Sequence, residues 1–469
     1  MTQRPTLEVV QGGATPVDAP ATGADGFRLT DVGNARRLLA LHGDDLRFIH
    51  TWRRWLVWDG RRWALDDTGE SVRRMIDTVR RLAATAAAID DADARKALMR
   101  HALGSEREAR VRGALALAEA LDGVPVLHDD LDADPLLLNV ANGTLDLRTG
   151  ELRPHARGDL ITKLAPVDYQ QDAAAPAFEA FMRRILPDPD LRRFVVTLLG
   201  YSLTGLTTEQ ILVMLYGTGA NGKTTLLELA RTLFGDYGQQ APAETFLERR
   251  DTIPNDVARL RGARFVAATE TGEGRRLNEV LVKRLTGGDT IAARFMRSEW
   301  FEFKPQFKAW LATNHKPEVR GTDEAIWRRI RLVPFAVTIP PEERDPALPA
   351  RLRNELPGIL NLAVKGCLDW QYDGTLSTPN AVTEATSGYR ADSDHVGRFL
   401  DDCCILNPDA RAKTGDLYNR YGYWCTANGE HSLSQKALAQ RLEERGLTPQ
   451  RLNTGRWWNG VGILQEHVA

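Results

Sequence analysis

Residues 211–230 read ILVMLYGTGANGKTTLLELA, and the reading of this stretch decides the fold. An apolar run enters a glycine-rich turn, meets Gly-Lys-Thr and leaves with leucines at helical spacing, the pattern of strand, loop and helix. The loop satisfies G-x-x-x-x-G-K-[ST], with Gly217, Gly222, Lys223 and Thr224 at the fixed places. Glycines let successive backbone N–H groups turn inward on phosphate oxygens. A lysine here bridges β- and γ-phosphates, and the hydroxyl after it reaches Mg2+. The expected cofactors are therefore ATP and Mg2+. Gly217, Thr218, Gly219, Ala220, Asn221, Gly222, Lys223, Thr224 and Thr225 form the cradle. The following helix adds its positive end.

Working outward, a second apolar strand, RFVAATE (264–270), ends in an acid 47 residues after the lysine. A carboxylate at the end of a neighbouring strand can polarise the attacking water or hold Mg2+ through water. Thr269 stands where a second carboxylate often sits, so Glu270 is expected to carry the base role, with Glu273 a weaker alternative. A third strand, in FKAWLATNHKP (307–317), ends in Asn314, an amide placed to sense the γ-phosphate. Asn-His-Lys-Pro also makes a good turn. Next, GTDEAIWRRIRLVPF (321–335) places Arg328 and Arg329 before another apolar strand. Either is expected to reach a neighbouring subunit's ATP as an arginine finger, with Arg329 slightly preferred. The plainer reading is a basic helix end paired with Asp323 and Glu324.

Around this core the chain of 469 residues has an ordinary composition, 43% hydrophobic and 26% charged, with a net charge of −2. That balance gives no global argument for nucleic acid, but residues 258–335 hold 16 Lys/Arg against 9 Asp/Glu, a local excess of 7 positive charges. No apolar run approaches membrane-helix length. The four cysteines form no C-x-x-C pair, which disfavours a zinc site or disulfide framework and makes a reducing cytoplasm the expected compartment. Residues 1–26 are expected to be a disordered leader rather than a secretory signal. Residues 27–168 read as an α+β domain: WLVWDGRRWAL (55–65) has the alternation and Asp-Gly turn of a hairpin, and 70–121 has helical spacing. Residues 169–178 read as a linker. An α/β ATPase domain over 178–340 follows, then a helical connector over 341–395.

The acidic stretch LHDDLDADP (127–135) carries Asp129, Asp130, Asp132 and Asp134, which a two-metal polymerase site would need fixed on adjacent strands. It reads as a solvated turn, and no primase activity is expected.

The order and spacing of the phosphate loop, the single-acid strand, LVKRLTGGDTIAARFMRSEWFEF (281–303), LATNHKP (311–317) and DEAIWRRI (323–330) resemble superfamily 3 helicases. The closer resemblance is to the helicase half of phage and plasmid primase–helicases, to which LNVANGTLDLRTGELRPH (138–155) is also similar. The match runs from about 29 to 340 and is strongest over 211–335. It implies an AAA+ core in a homo-oligomeric ring, expected as a hexamer, that hydrolyses ATP between subunits. It further implies 3′ to 5′ movement on single-stranded or forked DNA in replication, a bacterial host cell, and possible service by a separate primase.

The family's DNA-gripping hairpin maps to 291–303, with Arg294, Phe295, Met296 and Arg297 as contacts. The alternative for Phe295 and Met296 is plain core on an alternating strand. The family often carries a winged helix at its C-terminus, and residues 396–469 fit one, with Arg451, Arg456 and Trp457 as DNA contacts. Two other functions share these motifs: an ATP-switched origin-binding initiator or loader without processive unwinding, and an RNA-directed NTPase.

Overall fold

The computed structural model describes residues 22–23, 25–248, 254–270, 272, 274–294, 300–321 and 323–464. The chain forms two compact units, one of residues up to Ala133 with Pro154–Leu164, the other of Asp134–Arg153 with Ala165–Ala469.

The first unit contains α1 (Asp31–His42), β1 (Leu46–Ile49), β2 (Arg54–Trp58), β3 (Trp63–Leu65), α2 (Glu70–Ala87), α3 (Ala92–Ser105) and α4 (Glu108–Ala118). The strands form an antiparallel sheet in the order β1-β2-β3. Trp58 lies across from Trp63, and between them Asp59 accepts hydrogen bonds from the N–H groups of Arg61 and Arg62, closing the Asp-Gly turn. Asp66 accepts from the first N–H groups of α2, at Glu70 and Ser71. Met75 and Val79 of α2 pack with Val111, Ala114, Leu38 and Phe48 into one apolar cluster.

The second unit begins with an antiparallel sheet of β4 (Leu137–Val140), β5 (Gly143–Asp146) and β6 (Glu151–Arg153). The sequence assigned these strands to the 27–168 domain. They fold instead with the central sheet, because Leu138, Val140, Leu145 and Leu147 are buried in the same cluster as its strands. The expected linker at 169–178 is also packed. The Tyr169 N–H and carbonyl both bond to the Asn142 amide, at 2.9 and 3.0 Å, and Phe178 is buried.

Next come α5 (Pro176–Ile185), α6 (Pro189–Leu203), β7 (Leu212–Tyr216), α7 (Lys223–Phe234), β8 (Gly238–Gln240), α8 (Pro254–Ala258), β9 (Phe265–Glu270) and α9 (Glu279–Gly287). The strands β10 (Ile291–Ala293) and β11 (Phe301–Phe303) form an antiparallel pair, followed by β12 (Lys308–Thr313), α10 (Glu324–Trp327) and β13 (Ile330–Pro334). The central sheet is parallel throughout, in the order β13-β7-β12-β9-β8. Its inner strands are apolar on both faces, as a sheet covered on both sides requires. The strand ending at Asn314 thus lies between the phosphate-loop strand and the acid strand, which makes the core an AAA+-type P-loop fold.

Beyond the sheet are α11 (Leu348–Asn354), α12 (Leu356–Asp373) and α13 (Asn380–Ser393). The C-terminal elements are α14 (His395–Cys403), β14 (Cys404–Lys413), α15 (Thr414–Ala427), α16 (Gln435–Glu443), β15 (Thr448–Leu452) and β16 (Gly455–Ile463). With the sheet order β14-β16-β15 this is a winged helix, built on its own core of Phe399, Tyr421, Trp424, Leu438 and Trp458. The long strand β14 was not anticipated, because all but its first two residues, LNPDARAK, read as a polar loop.

Candidate functional site

The carboxyl edge of the central sheet gathers the three motif ends. In the register of β12 with its neighbours, Thr313 stands opposite Tyr216 on one side and Glu270 on the other. Gly217, Asn314 and the end of the acid strand therefore emerge together, where ligands of open α/β sheets bind. Pro334 also lies opposite Tyr216, so the segment after β13 closes the near side, with the Ile339 N–H donating to the Ala220 carbonyl at 2.7 Å.

Two glycines of the loop are required by geometry. A Cβ on Gly217 would lie 2.4 Å from both the Asn221 amide nitrogen and the Phe335 carbonyl oxygen. Gly222 has φ +83°, and a Cβ there would meet Ile185 Cγ2 at 2.6 Å. Helix α7 starts at Lys223 without a side-chain cap, so its first N–H groups stay open. Thr218, Ala220 and Thr224 are exposed around them, Thr225 is half-buried and Asn221 is buried.

Lys223 is 5% exposed. Its ammonium donates to the Gly217 carbonyl at 2.6 Å, the Asn221 side-chain oxygen at 3.1 Å and the Asn314 side-chain oxygen at 3.2 Å. All three acceptors are neutral. Burial pulls the Lys223 pKa below the usual lysine value, and its place at the positive end of α7 is also unfavourable for a cation. A polyphosphate answers both costs with negative charge, so the donor set fits that ligand. The exposed Thr224 hydroxyl and a carboxylate at the Glu270 strand end could hold a metal bound to such a ligand. Glu270 is described by its backbone alone, and Glu273 lies outside the described residues.

The two arginines of the WRR run separate. Arg329 is 7% exposed and is used inside the chain, donating to the Thr286 hydroxyl and the Ala325 carbonyl. The preference for Arg329 as the finger is corrected on that ground. Arg328 is exposed and donates to the Gln210 side-chain oxygen at 2.7 Å. The plainer pairing is also not seen, since Asp323 pairs with Lys283 at 2.7 Å and Glu324 with Arg390 at 2.8 Å. Arg328 precedes β13, at the sheet edge opposite the phosphate loop. Five strand residues at about 3.3 Å each put it roughly 16 Å from its own loop, beyond one side chain's reach.

The hairpin expected over 291–303 is present as β10 and β11, with Ile291 opposite Phe303 and Ala293 opposite Phe301. Arg294 is exposed, its guanidinium stacked 4.9 Å from the ring centre of Trp300. Phe295, Met296 and Arg297 lie outside the described residues. Trp300, 56% exposed, was not singled out from the sequence. The alternation in SEWFEF carries that signal, since Phe303 turns inward while Trp300 and Glu302 are exposed.

In the wing, Arg451 and Arg456 are exposed and stand directly opposite each other, while half-buried Trp457 donates to Thr454 at 3.1 Å. The four aspartates of 127–135 make local bonds: Asp129 with His128, Asp130 with the Leu127 N–H, Asp132 with Thr162 and Asp134 with Arg148. Among the described residues no cluster of histidine, cysteine or acidic side chains could hold a metal, and no helix is long and apolar enough to cross a membrane.

Residues 35–187 match the family described as D5 N terminal like, 215–329 a family of unknown function, and 391–447 the poxvirus D5 protein-like family. "Putative helicase L207/L206" of Acanthamoeba polyphaga mimivirus is 28% identical over 325 residues, covering 64% of this chain and 34% of that protein. "Putative primase C962R" of African swine fever virus is 24% identical over 347 residues, covering 68% of this chain and 36% of that protein. The chain thus spans about a third of the length of these relatives. The apo structure of the NrS-1 C-terminal region shares the fold, with a TM-score of 0.50 at 10% identity, covering 92% of this chain and 99% of that one. The chain thus carries D5-type domain matches over 35–187 and 391–447 and is similar to proteins named as helicase and primase of large DNA viruses, the pattern of the superfamily 3 primase–helicases.

Proposed function

We propose that the chain is an ATP-driven DNA helicase motor for replication of a mobile DNA element such as a phage, plasmid or virus. It works as a ring of identical subunits moving 3′ to 5′ on single-stranded DNA, in the cytoplasm of the host cell. The observation that carries this reading is the division of the sheet. Lys223, Asn314 and Glu270 meet at one edge, and the exposed Arg328 stands at the other. In a ring the second edge of one subunit faces the first edge of the next, so each site is completed by its neighbour.

Mg2+-bound ATP supplies the cleavable phosphoanhydride bond. Lys223 and the open N–H groups of α7 hold its phosphates, and Thr224 and Glu270 would hold the metal, which supplies positive charge beside them. Glu270 also takes the proton of the attacking water, which Asn314 orients. Arg328 of the neighbour stabilises the charge that builds on the transferred phosphoryl group. Arg294 and Trp300 offer a cation and an aromatic face to single-stranded DNA.

The test is ATP turnover with and without single-stranded DNA, together with unwinding of a duplex bearing a 3′ tail. DNA-stimulated turnover with strand separation supports the motor. The exposed arginine pair of the wing favours one second reading, an ATP-switched initiator that grips duplex DNA. Turnover without unwinding, with tight duplex binding, would move the assignment there.

A further inference from the structure

The turn that leads into the phosphate-loop strand also holds the exposed arginine at the far edge. We propose that Gln210 is a positioning residue that fixes Arg328 for use by the neighbouring subunit. The inference rests on the trans role of Arg328 proposed above.

Residues 207–210 form a tight turn, with the Gln210 N–H donating to the Thr207 carbonyl at 3.1 Å. Gln210 has φ +53°, a left-handed conformation that a residue with a side chain adopts at a cost. Packed partners hold the turn in place. The Glu209 N–H donates to the Tyr201 hydroxyl of α6 at 3.2 Å, and Trp370 Nε1 of α12 donates to Glu209 Oε1 at 2.8 Å. Tyr201 and Trp370 are buried and in ring contact at 4.6 Å. The half-buried Gln210 side chain leaves this anchored turn and presents its oxygen to Arg328.

An exposed arginine otherwise spreads over many rotamers, and a phosphate contact at a neighbour's site needs one of them. Gln210 selects it. A neutral acceptor suits the task, because it orients the guanidinium without cancelling the charge that the phosphoryl group requires; a carboxylate there would hold Arg328 in a closed ion pair. The turn is also joined directly to β7. The arginine lent to a neighbour and the loop for the subunit's own phosphate therefore sit at opposite ends of one strand.

The test uses Gln210→Met in the full chain, which keeps the length of the side chain and removes the acceptor. Turnover should fall about tenfold, against about 10³-fold for Arg328→Ala, with the melting temperature and nucleotide affinity of wild type. Mixing Gln210→Met with Lys223→Ala chains should restore activity, because intact loops then face intact Gln210–Arg328 pairs. The double variant Gln210→Met/Arg328→Ala should be no slower than Arg328→Ala alone. Recovery in mixtures with no added loss in the double variant supports the inference. If Arg328→Ala is rescued by mixing while Gln210→Met is as active as wild type, is not rescued, or adds to Arg328→Ala, Gln210 has no such role. If Arg328→Ala itself is not rescued, the trans reading falls, and this inference with it.

Discussion

At the carboxyl edge of the central sheet Lys223 donates to three neutral oxygens; at the amino edge Lys308 and Arg264 do the same. Lys308 donates to the carbonyls of Thr204, Leu206 and Gln306, and Arg264 to those of Leu203, Asp134 and Leu137. Both are 2% exposed, and Arg264 also stacks 4.6 Å from the ring centre of Tyr237. Burial depresses the Lys308 pKa, as it does for Lys223. The difference lies in the helices. Leu203 and Thr204 are the C-terminal end of α6, where a cation is favoured, while Lys223 opens α7, where it is not. The lower pair is complete as it stands, and its cations tie the first residues of β9 and β12 to a helix end. Among the described residues the upper lysine meets only neutral oxygens. A buried cation alone therefore does not mark a site; a buried cation at a helix N-terminus with neutral partners and exposed neighbours does.

The largest expected effect sharpens this contrast. Lys223→Ala should reduce ATP turnover to background while the protein melts like wild type; full turnover in that variant would remove the loop from the mechanism. The two arginines of the WRR run should divide along the same line. Arg328→Ala is expected to cost about 10³-fold in turnover and almost no stability. Arg329→Ala should cost about 1–3 kcal/mol of stability, because the Thr286 hydroxyl and Ala325 carbonyl lose a buried partner. Chemical denaturation beside steady-state kinetics separates them, and a stable but inactive Arg329→Ala would restore Arg329 as the finger.

Lys308→Met should likewise destabilise by about 1–3 kcal/mol near neutral pH, with nucleotide affinity unchanged. Its pH dependence has a definite sign. The folded-state pKa is depressed, so between it and 10.5 the unfolded chain binds more protons, and wild-type stability gains with rising pH through this group. The gap between wild type and Lys308→Met should therefore widen as pH climbs toward 10.5; a gap that stays constant would show an unshifted lysine. The smallest effect is expected in the wing. Arg451→Ala and Arg456→Ala should each weaken duplex DNA binding a few-fold and lower the salt slope by about one, read by titration at several salt concentrations.

Much of the candidate site was legible because phosphate chemistry fixes residue types at fixed spacing. The loop, the strand ending at Glu270 and the strand ending at Asn314 needed no three-dimensional information. The Lys223–Asn314 contact, across 91 residues, was not legible, since it depends on which strand lies beside β7. The WRR run misled for a related reason. Two adjacent arginines look alike in sequence, and only the turn into β13 decides which one faces inward. The hairpin meander β4–β6 was misassigned because its apolar residues reveal that they are buried but not against which partner. The polar strand β14 was hidden by its composition, since edge strands of a small sheet carry few buried residues.

The central claim is that one subunit's loop is completed by another's arginine. The most direct measurement is turnover per chain across a dilution series, with the mass of the assembly followed in the same samples. The account requires turnover to be confined to assembled species and to vanish on dilution to monomer. A monomer that hydrolyses ATP at the full rate would contradict it.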